Sequence, residues 1–362
     1  MVSPKTAFWK WSIVAAFAGT VLVAAQVVEV GGIGGLIQAG EANELTPLIR
    51  AELGEVSLAE NAGHDGQLFY AIGLDLNGDE IGESFDHGLY RYRRILYSFV
   101  SSAGGLFDGY RLLYGMLVVA GLSFMVAAGT TAAIAARHGR SDYLALAVVL
   151  NPGLWLSLRL LTSDVMALAL TVVALYAIDL GWRYASVLFA ASGLAKDVYI
   201  VTPAALMVRK ETRNWSLVVV PALALIAWTT YLTTTINGGF TETGNITFPF
   251  LGIVTAGSTW AASTAGDIFY LAFALASVVA GLVYTIRRES WLRWPILAWS
   301  ALGVMSSSWV WDFGNNAARA FAPIVVLIAI AEGSRVQPSR SGLASDDQPA
   351  QPANRQQGVD KP

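Results

Sequence analysis

Residues 12–28 read SIVAAFAGTVLVAAQVV, and this run decides the fold class. It carries no charge, and a helix needs about 17–25 apolar residues to cross the hydrocarbon core of a bilayer. Lys5 and Lys10 precede it. A cleaved signal peptide has the same profile. A retained anchor is expected instead, because further apolar runs follow at roughly 111–135, 143–160, 164–181, 215–232, 266–286, 294–311 and 317–332. Of 362 residues, 55% are hydrophobic and 14% charged, against about 25% charged in an ordinary soluble domain. The reading is an all-α, polytopic transmembrane helix bundle over residues 1–335, with about eight full spans and a pair of short helices.

The charge pattern orients the chain. Lys5 and Lys10, Arg137–Arg140, Arg209–Arg213 and Arg287–Arg288 are basic, and basic connections stay on the cytoplasmic side. The long polar stretch 29–108 is then extracytoplasmic, and the protein is a multi-pass plasma-membrane protein. Residues 185–208 test this topology. A single span there would flip every later helix. Two short helices meeting near Gly193–Asp197 keep both flanking basic clusters on one side, with Lys196 and Asp197 at the apex, either as a mutually neutralised pair or lining a polar cavity. The tail 336–362 is rich in Gln, Ser, Pro and Asp, so it is expected to be disordered and cytoplasmic.

Several chemistries are excluded. The chain has no Cys, so disulfides and thiolate chemistry are absent. A net charge of −3 gives no reason to expect nucleic acid. Three His do not suggest a metal cage. No cofactor is indicated. A divalent metal would be compatible with the acids but is not signalled by their spacing.

Within the outer stretch, residues 63–97 read GHDGQLFYAIGLDLNGDEIGESFDHGLYRYRRILY. Charge beside hydrocarbon is costly, so such a cluster is a functional-site candidate. Asp65 opens a short apolar helix that includes Leu68, Phe69 and Ile72. It could serve as a helix cap, or as a proton acceptor for a hydroxyl nucleophile. Arg91 and Arg94 stand three apart and would share a helical face, with Arg93 pointing elsewhere. Their planar forks suit phosphate oxygens, although adhesion to anionic headgroups would also use them.

The DGQ followed by aromatics at 65–70 and the block Tyr90-Arg91-…-Arg94-Ile95-Leu96-Tyr97 resemble bacterial polytopic proteins of cell-surface glycopolymer formation. Those proteins are similar to the GT-C superfamily of membrane glycosyltransferases. Ser98 departs from the pattern, since many relatives have Pro there, and Asp65 lacks the acidic neighbour that some members carry. The resemblance implies Asp65 as the catalytic acid of the first outer loop, and polyprenyl-phosphate-linked sugar as donor.

Arg91, Arg94, Lys196 and Arg319 are then candidates for the donor phosphate. His64, Gln67, Tyr70, Tyr90, Asp164 and Trp311 are candidates for the substrate. Two of these have other local explanations. Asp164 follows Thr162-Ser163, an N-cap pattern, and could pair with Arg159. Trp311 could be an interfacial anchor. The expected activity is transfer of a sugar to a cell-envelope glycan or lipid acceptor on the outer face, among membrane lipids. The alternative is a polytopic transporter or lipid-linked-sugar flippase, which should instead hold its charges near the bilayer midplane.

Overall fold

The computed structural model describes residues 2–335 apart from Asn61, Asp86, 237–243 and 261–262. The tail expected to be disordered lies outside the described residues. Where described, the chain is helical, and its only β pairing consists of isolated bridges such as Ala39–Gly63. Among the described residues, five helices are long and apolar enough to cross a membrane: Pro4–Glu29, Gly109–Arg137, Ser216–Thr235, Ala265–Arg287 and Gly314–Gly333.

Two other expected full spans are interrupted. The run 143–160 becomes a 3-10 turn Asp142–Ala145, a single turn Leu146–Val149 and the helix Pro152–Arg159. The cause is Asn151-Pro152, because Pro cannot donate and clashes with the preceding turn. Asn151 then satisfies the broken backbone. Its Oδ1 accepts from the Gly153 and Leu154 amides, and its Nδ2 donates to the Ala147 and Ala322 carbonyls. The run 294–311 similarly ends its main helix at Met305 and resumes as a single turn at Ser308–Trp311.

The segment 185–208 is two short helices, Ala185–Ala195 and Val201–Leu206, joined through extended Lys196 and a 3-10 turn Asp197–Ile200. Lys196 reaches Asp164, at the start of Asp164–Asp179. Thr202 accepts from the Trp299 indole, within the helix Arg293–Met305. The chain therefore rises to the level of Asp164 and turns back. Lys196 and Asp197 do not neutralise each other; each pairs with a different element.

The bundle thus has two distinct ends. One gathers the start of the first helix with Asp142 (Lys10 Nζ to Oδ2, 2.8 Å), His138 with Asp179, and Trp291 with Ser334. At the other end lie Glu29 with Arg159, the start of Asp164–Asp179, Lys196, the start of Gly314–Gly333, and the described residues of the stretch 30–108. That stretch is folded, with short helices at Thr46–Leu53, Asp65–Leu74, Gly88–Tyr92 and Ile95–Ser101. Arg159 is paired with Glu29 and Gln26 rather than with Asp164.

Candidate active site

The DGQ triplet explains how Asp65 is placed. Asp65 is the first residue of Asp65–Leu74. Gly66 lets that helix lie directly against the bundle, since a Cβ there would stand 2.4 Å from the Leu160 carbonyl oxygen. Gln67 is buried and ties the loop: its Oε1 accepts from the Gly40 amide at 3.1 Å and its Nε2 donates to the Ala62 carbonyl at 2.7 Å. The preceding Gly63 has φ +78, a left-handed conformation that glycine adopts freely. Gly63, Gly66 and Gln67 therefore hold one carboxylate at the end of the bundle.

That carboxylate meets two arginines from distant parts of the chain. Arg319 Nη2 donates to Oδ2 at 3.0 Å, and Arg91 Nη1 to Oδ1 at 3.3 Å. Asp65 is thus not the helix cap that the sequence allowed: His64 holds the N-cap position, and no side chain caps the helix. Its side chain is 28% exposed, whereas that of Arg319 is 7% exposed. Burial would raise the Asp65 pKa, but the fields of Arg319, Arg91, Arg94 and Lys196 together outweigh it and hold the carboxyl well below the usual range. The adjacent His64 is shifted down, first by burial and then by Arg319, against the opposing pull of Asp65.

Arg319 also links to a second acid. Its Nη1 lies 3.6 Å from Asp164 Oδ2, and its Nη2 donates to Asn316 Oδ1 at 2.9 Å. Asp164 is buried, accepts a hydrogen bond from Thr162 Oγ1 at 2.8 Å, and pairs with Lys196. Ser163 makes no side-chain cap, so the expected N-cap is replaced by an ion-pair chain Asp65–Arg319–Asp164–Lys196. The negative charge at a helix N-terminus is still favourable.

Arg93 does not point away from Arg91 and Arg94. The helix Gly88–Tyr92 stops before it, and the next begins at Ile95, so the three side chains need not follow one helical wheel. All three guanidinium carbons gather around the Tyr90 ring, at 5.6, 5.4 and 4.2 Å from its centre for Arg91, Arg93 and Arg94. Asp197 holds Arg93 at 3.0 Å and Arg94 at 3.5 Å. The Tyr90 hydroxyl meets Arg94, and accepts from Asn245 Nδ2 at 3.3 Å.

The site therefore joins His64, Asp65, Tyr90, Arg91, Arg94, Asp164, Lys196 and Arg319, all anticipated in the sequence. It adds Arg93, Thr162, Asp197, Asn245 and Asn316. Three anticipated substrate residues face elsewhere. Gln67 is committed to the loop. Tyr70 is buried and donates to the Gly109 carbonyl at 3.2 Å. Trp311 is buried, donates to the Gly303 carbonyl at 3.2 Å and stacks on Phe321, so it offers no face to a sugar.

Chemically, the cluster sets five cations, Arg91, Arg93, Arg94, Lys196 and Arg319, among three carboxylates, Asp65, Asp164 and Asp197. The buried Nε atoms of Arg93 and Arg319 have no hydrogen-bond partner among the described residues, whereas that of Arg94 faces Asp197 Oδ1 at 3.5 Å. Unsatisfied buried donors are costly, and a ligand rich in acceptor oxygens would supply partners. Among the described residues no group of three or more His, Cys, Asp or Glu side chains is arranged to hold a metal ion. No protein-family model, curated protein or solved structure matches this chain.

Proposed function

We propose that this chain is an integral membrane glycosyltransferase of the GT-C kind. It moves a sugar from a polyprenyl-phosphate donor to an envelope glycan or lipid acceptor on the extracytoplasmic face. One observation carries this reading. Stretches around residues 65, 90–94, 164, 196–197 and 319 bring arginines, a lysine and carboxylates together at one end of an apolar bundle. A lipid phosphate needs an apolar flank for its chain and cations for its head, and the acceptor hydroxyl needs a base.

In the reaction, the acceptor oxygen bonds to the anomeric carbon and the bond from that carbon to the phosphate oxygen breaks. Polyprenyl phosphate leaves, and Asp65 takes the hydroxyl proton. Arg94, Arg91, Lys196 and Arg319 stabilise the charge that develops on the phosphate, the kind of contribution that is often largest in catalysis. Arg91 and Arg319 hold Asp65 in the structure. A bound phosphate competes for these same guanidiniums and so frees the carboxylate to accept a proton. Eight or so crossings, counting the interrupted segments, would place the basic connections in the cytoplasm.

The test uses purified protein in lipid nanodiscs, a polyprenyl-phosphate sugar and a crude envelope acceptor. Transfer should release polyprenyl phosphate. Arg94→Ala should weaken donor use more than Arg94→Lys, and Lys should not restore it fully, because a fork-to-phosphate contact is geometric as well as electrostatic. A transporter would leave the sugar–phosphate bond intact. Full activity in both variants would remove Arg94 from the donor site.

A further inference from the structure

Residues 244–260, GNITFPFLGIVTAGSTW, contain no charged side chain. The segment nevertheless presents its apolar groups outward. Phe248 is 79% and Val254 72% exposed, and Ile246, Phe250 and Leu251 are exposed beside them. Trp309 and Phe313, from the turn after Met305, are exposed as well.

This is not a loosely draped loop. The Thr247 amide donates to the Met305 carbonyl at 2.7 Å, the Phe250 amide to Val304 at 2.8 Å, and the Ser307 amide to Asn245 at 2.9 Å. Gly252 lies so close to the break in the helix that a Cβ would stand 2.0 Å from the Ser306 carbonyl oxygen. Phe250 sits at φ +65, in the left-handed region that bulky residues seldom occupy. Its backbone is strained, and the three hydrogen bonds hold it there. The fold thus fixes a set of large apolar side chains in an outward position that water would penalise.

The neighbouring surface says what covers them. Ile268 and Phe269, in the first turn of the long apolar helix Ala265–Arg287, are also exposed. The start of this membrane-length helix packs against the residue after Phe313, since a Cβ on Gly314 would stand 2.3 Å from the Asp267 carbonyl oxygen, so its exposed apolar groups adjoin those of the break. Trp and Phe at such a boundary suit the headgroup–acyl interface, and an uncharged segment offers nothing to a charged partner surface.

We propose that residues 246–254, with Trp309 and Phe313, form a fixed apolar foot seated in the bilayer leaflet at the site end of the bundle. The foot is tied to the arginine cluster, because Asn245 Nδ2 donates to the Tyr90 hydroxyl at 3.3 Å. It therefore sets the height of that cluster relative to the lipid headgroups. This placement does not depend on the transferase reading.

The absence of Cys makes the test direct. Phe248→Cys and Val254→Cys each receive an NBD fluorophore, with Glu55→Cys as the water-exposed reference, and the full chain is placed in phosphatidylcholine vesicles. The foot probes should emit further to the blue than the Glu55 probe. They should lose most of their intensity when 5-doxyl phosphatidylcholine is included, and be shielded from aqueous iodide. Quenching by iodide equal to that of the Glu55 probe, with no effect of doxyl lipid, would overturn the proposal. So would shielding from both quenchers, which would indicate a protein partner instead. Should one variant fail to insert, the other carries the same test.

Discussion

Asp65→Asn separates the roles the carboxylate could play. The side chain keeps its size and one acceptor oxygen, and it loses the charge and the proton-accepting capacity. Asp65 now pairs with Arg319 at 3.0 Å and Arg91 at 3.3 Å. Breaking a fully buried ion pair costs about 3–5 kcal/mol, but two features reduce that here. Asp65 is 28% exposed, and Arg319 retains Asp164 and Asn316. The smaller range for a hydrogen bond to a charged group, about 1.5–3 kcal/mol, is the better guide to lost stability. Such a loss lowers abundance and melting temperature without abolishing the fold.

Loss of a general base is larger in rate, about 10²–10⁴-fold, or roughly 2.7–5.5 kcal/mol of barrier at 1.36 kcal/mol per decade. The assay compares sugar transfer per folded molecule, with protein measured by detergent-solubilised monodisperse yield. A base predicts at least a hundredfold loss per folded molecule. Transfer within a few-fold of wild type would refute the assignment. Asp75 would then be a poor substitute, since its carboxylate already accepts from the Gly78, Glu80 and Ile81 amides. Asp197, partly exposed beside Arg93 and Arg94, would be the acid to examine next.

Other outcomes follow from the same geometry. Gly66→Ala should push the helix Asp65–Leu74 off the Leu160 carbonyl and lower both transfer and melting temperature, whereas Gly54→Ala, an exposed control with nothing within 4 Å, should leave transfer unchanged despite its strained φ of +72. The depressed Asp65 pKa means that its ion pairs contribute fully above the ordinary carboxylate value of about 4 and are lost as pH falls through the lowered folded value. Melting curves of wild type and Asp65→Asn should therefore run parallel above about pH 5 and converge only in stronger acid; convergence near neutrality would contradict this electrostatic account. For topology, cysteine at Glu55 should react with an impermeant maleimide in intact cells and cysteine at Glu211 should not, and the reverse pattern would invert the bundle.

The sequence allowed the main apolar helices to be located because unbroken runs such as 12–28 and 266–286 have one stable solution in lipid, in which every backbone group bonds within the helix. It was less informative where polar side chains replace those bonds. Asn151 completes a broken span by contacting Ala322, far away in sequence, and no local pattern records that partner. The pair 185–208 was legible through charge, since only a turn near Lys196 keeps Arg183 and Arg209 together.

At the site, the residue types were readable but not their partners. Arg93 was misplaced by extending one helix through Tyr92, when the chain breaks there and lets three arginines surround Tyr90. Asp197 was visible as a charge but not as the anchor for Arg93 and Arg94. Asn245 lies in a stretch without charge that gives no local sign of a site, and its contact with Tyr90 depends on how 244–260 packs on the break at Ser306. Tyr70 and Trp311 looked like sugar-facing aromatics and prove to be core, because their polar atoms are satisfied by Gly109 and Gly303 within the bundle.

The central claim is that the Asp65–arginine cluster consumes a lipid-linked sugar. Mass spectrometry of the envelope glycans and of the extracted lipid-linked sugars, in cells lacking this protein, tests it most directly. The account predicts that one sugar is missing from an envelope glycan or glycolipid and that a polyprenyl-phosphate sugar accumulates, with both restored by the wild-type chain and neither by Asp65→Asn. Identical glycan and lipid profiles with and without the protein would contradict it.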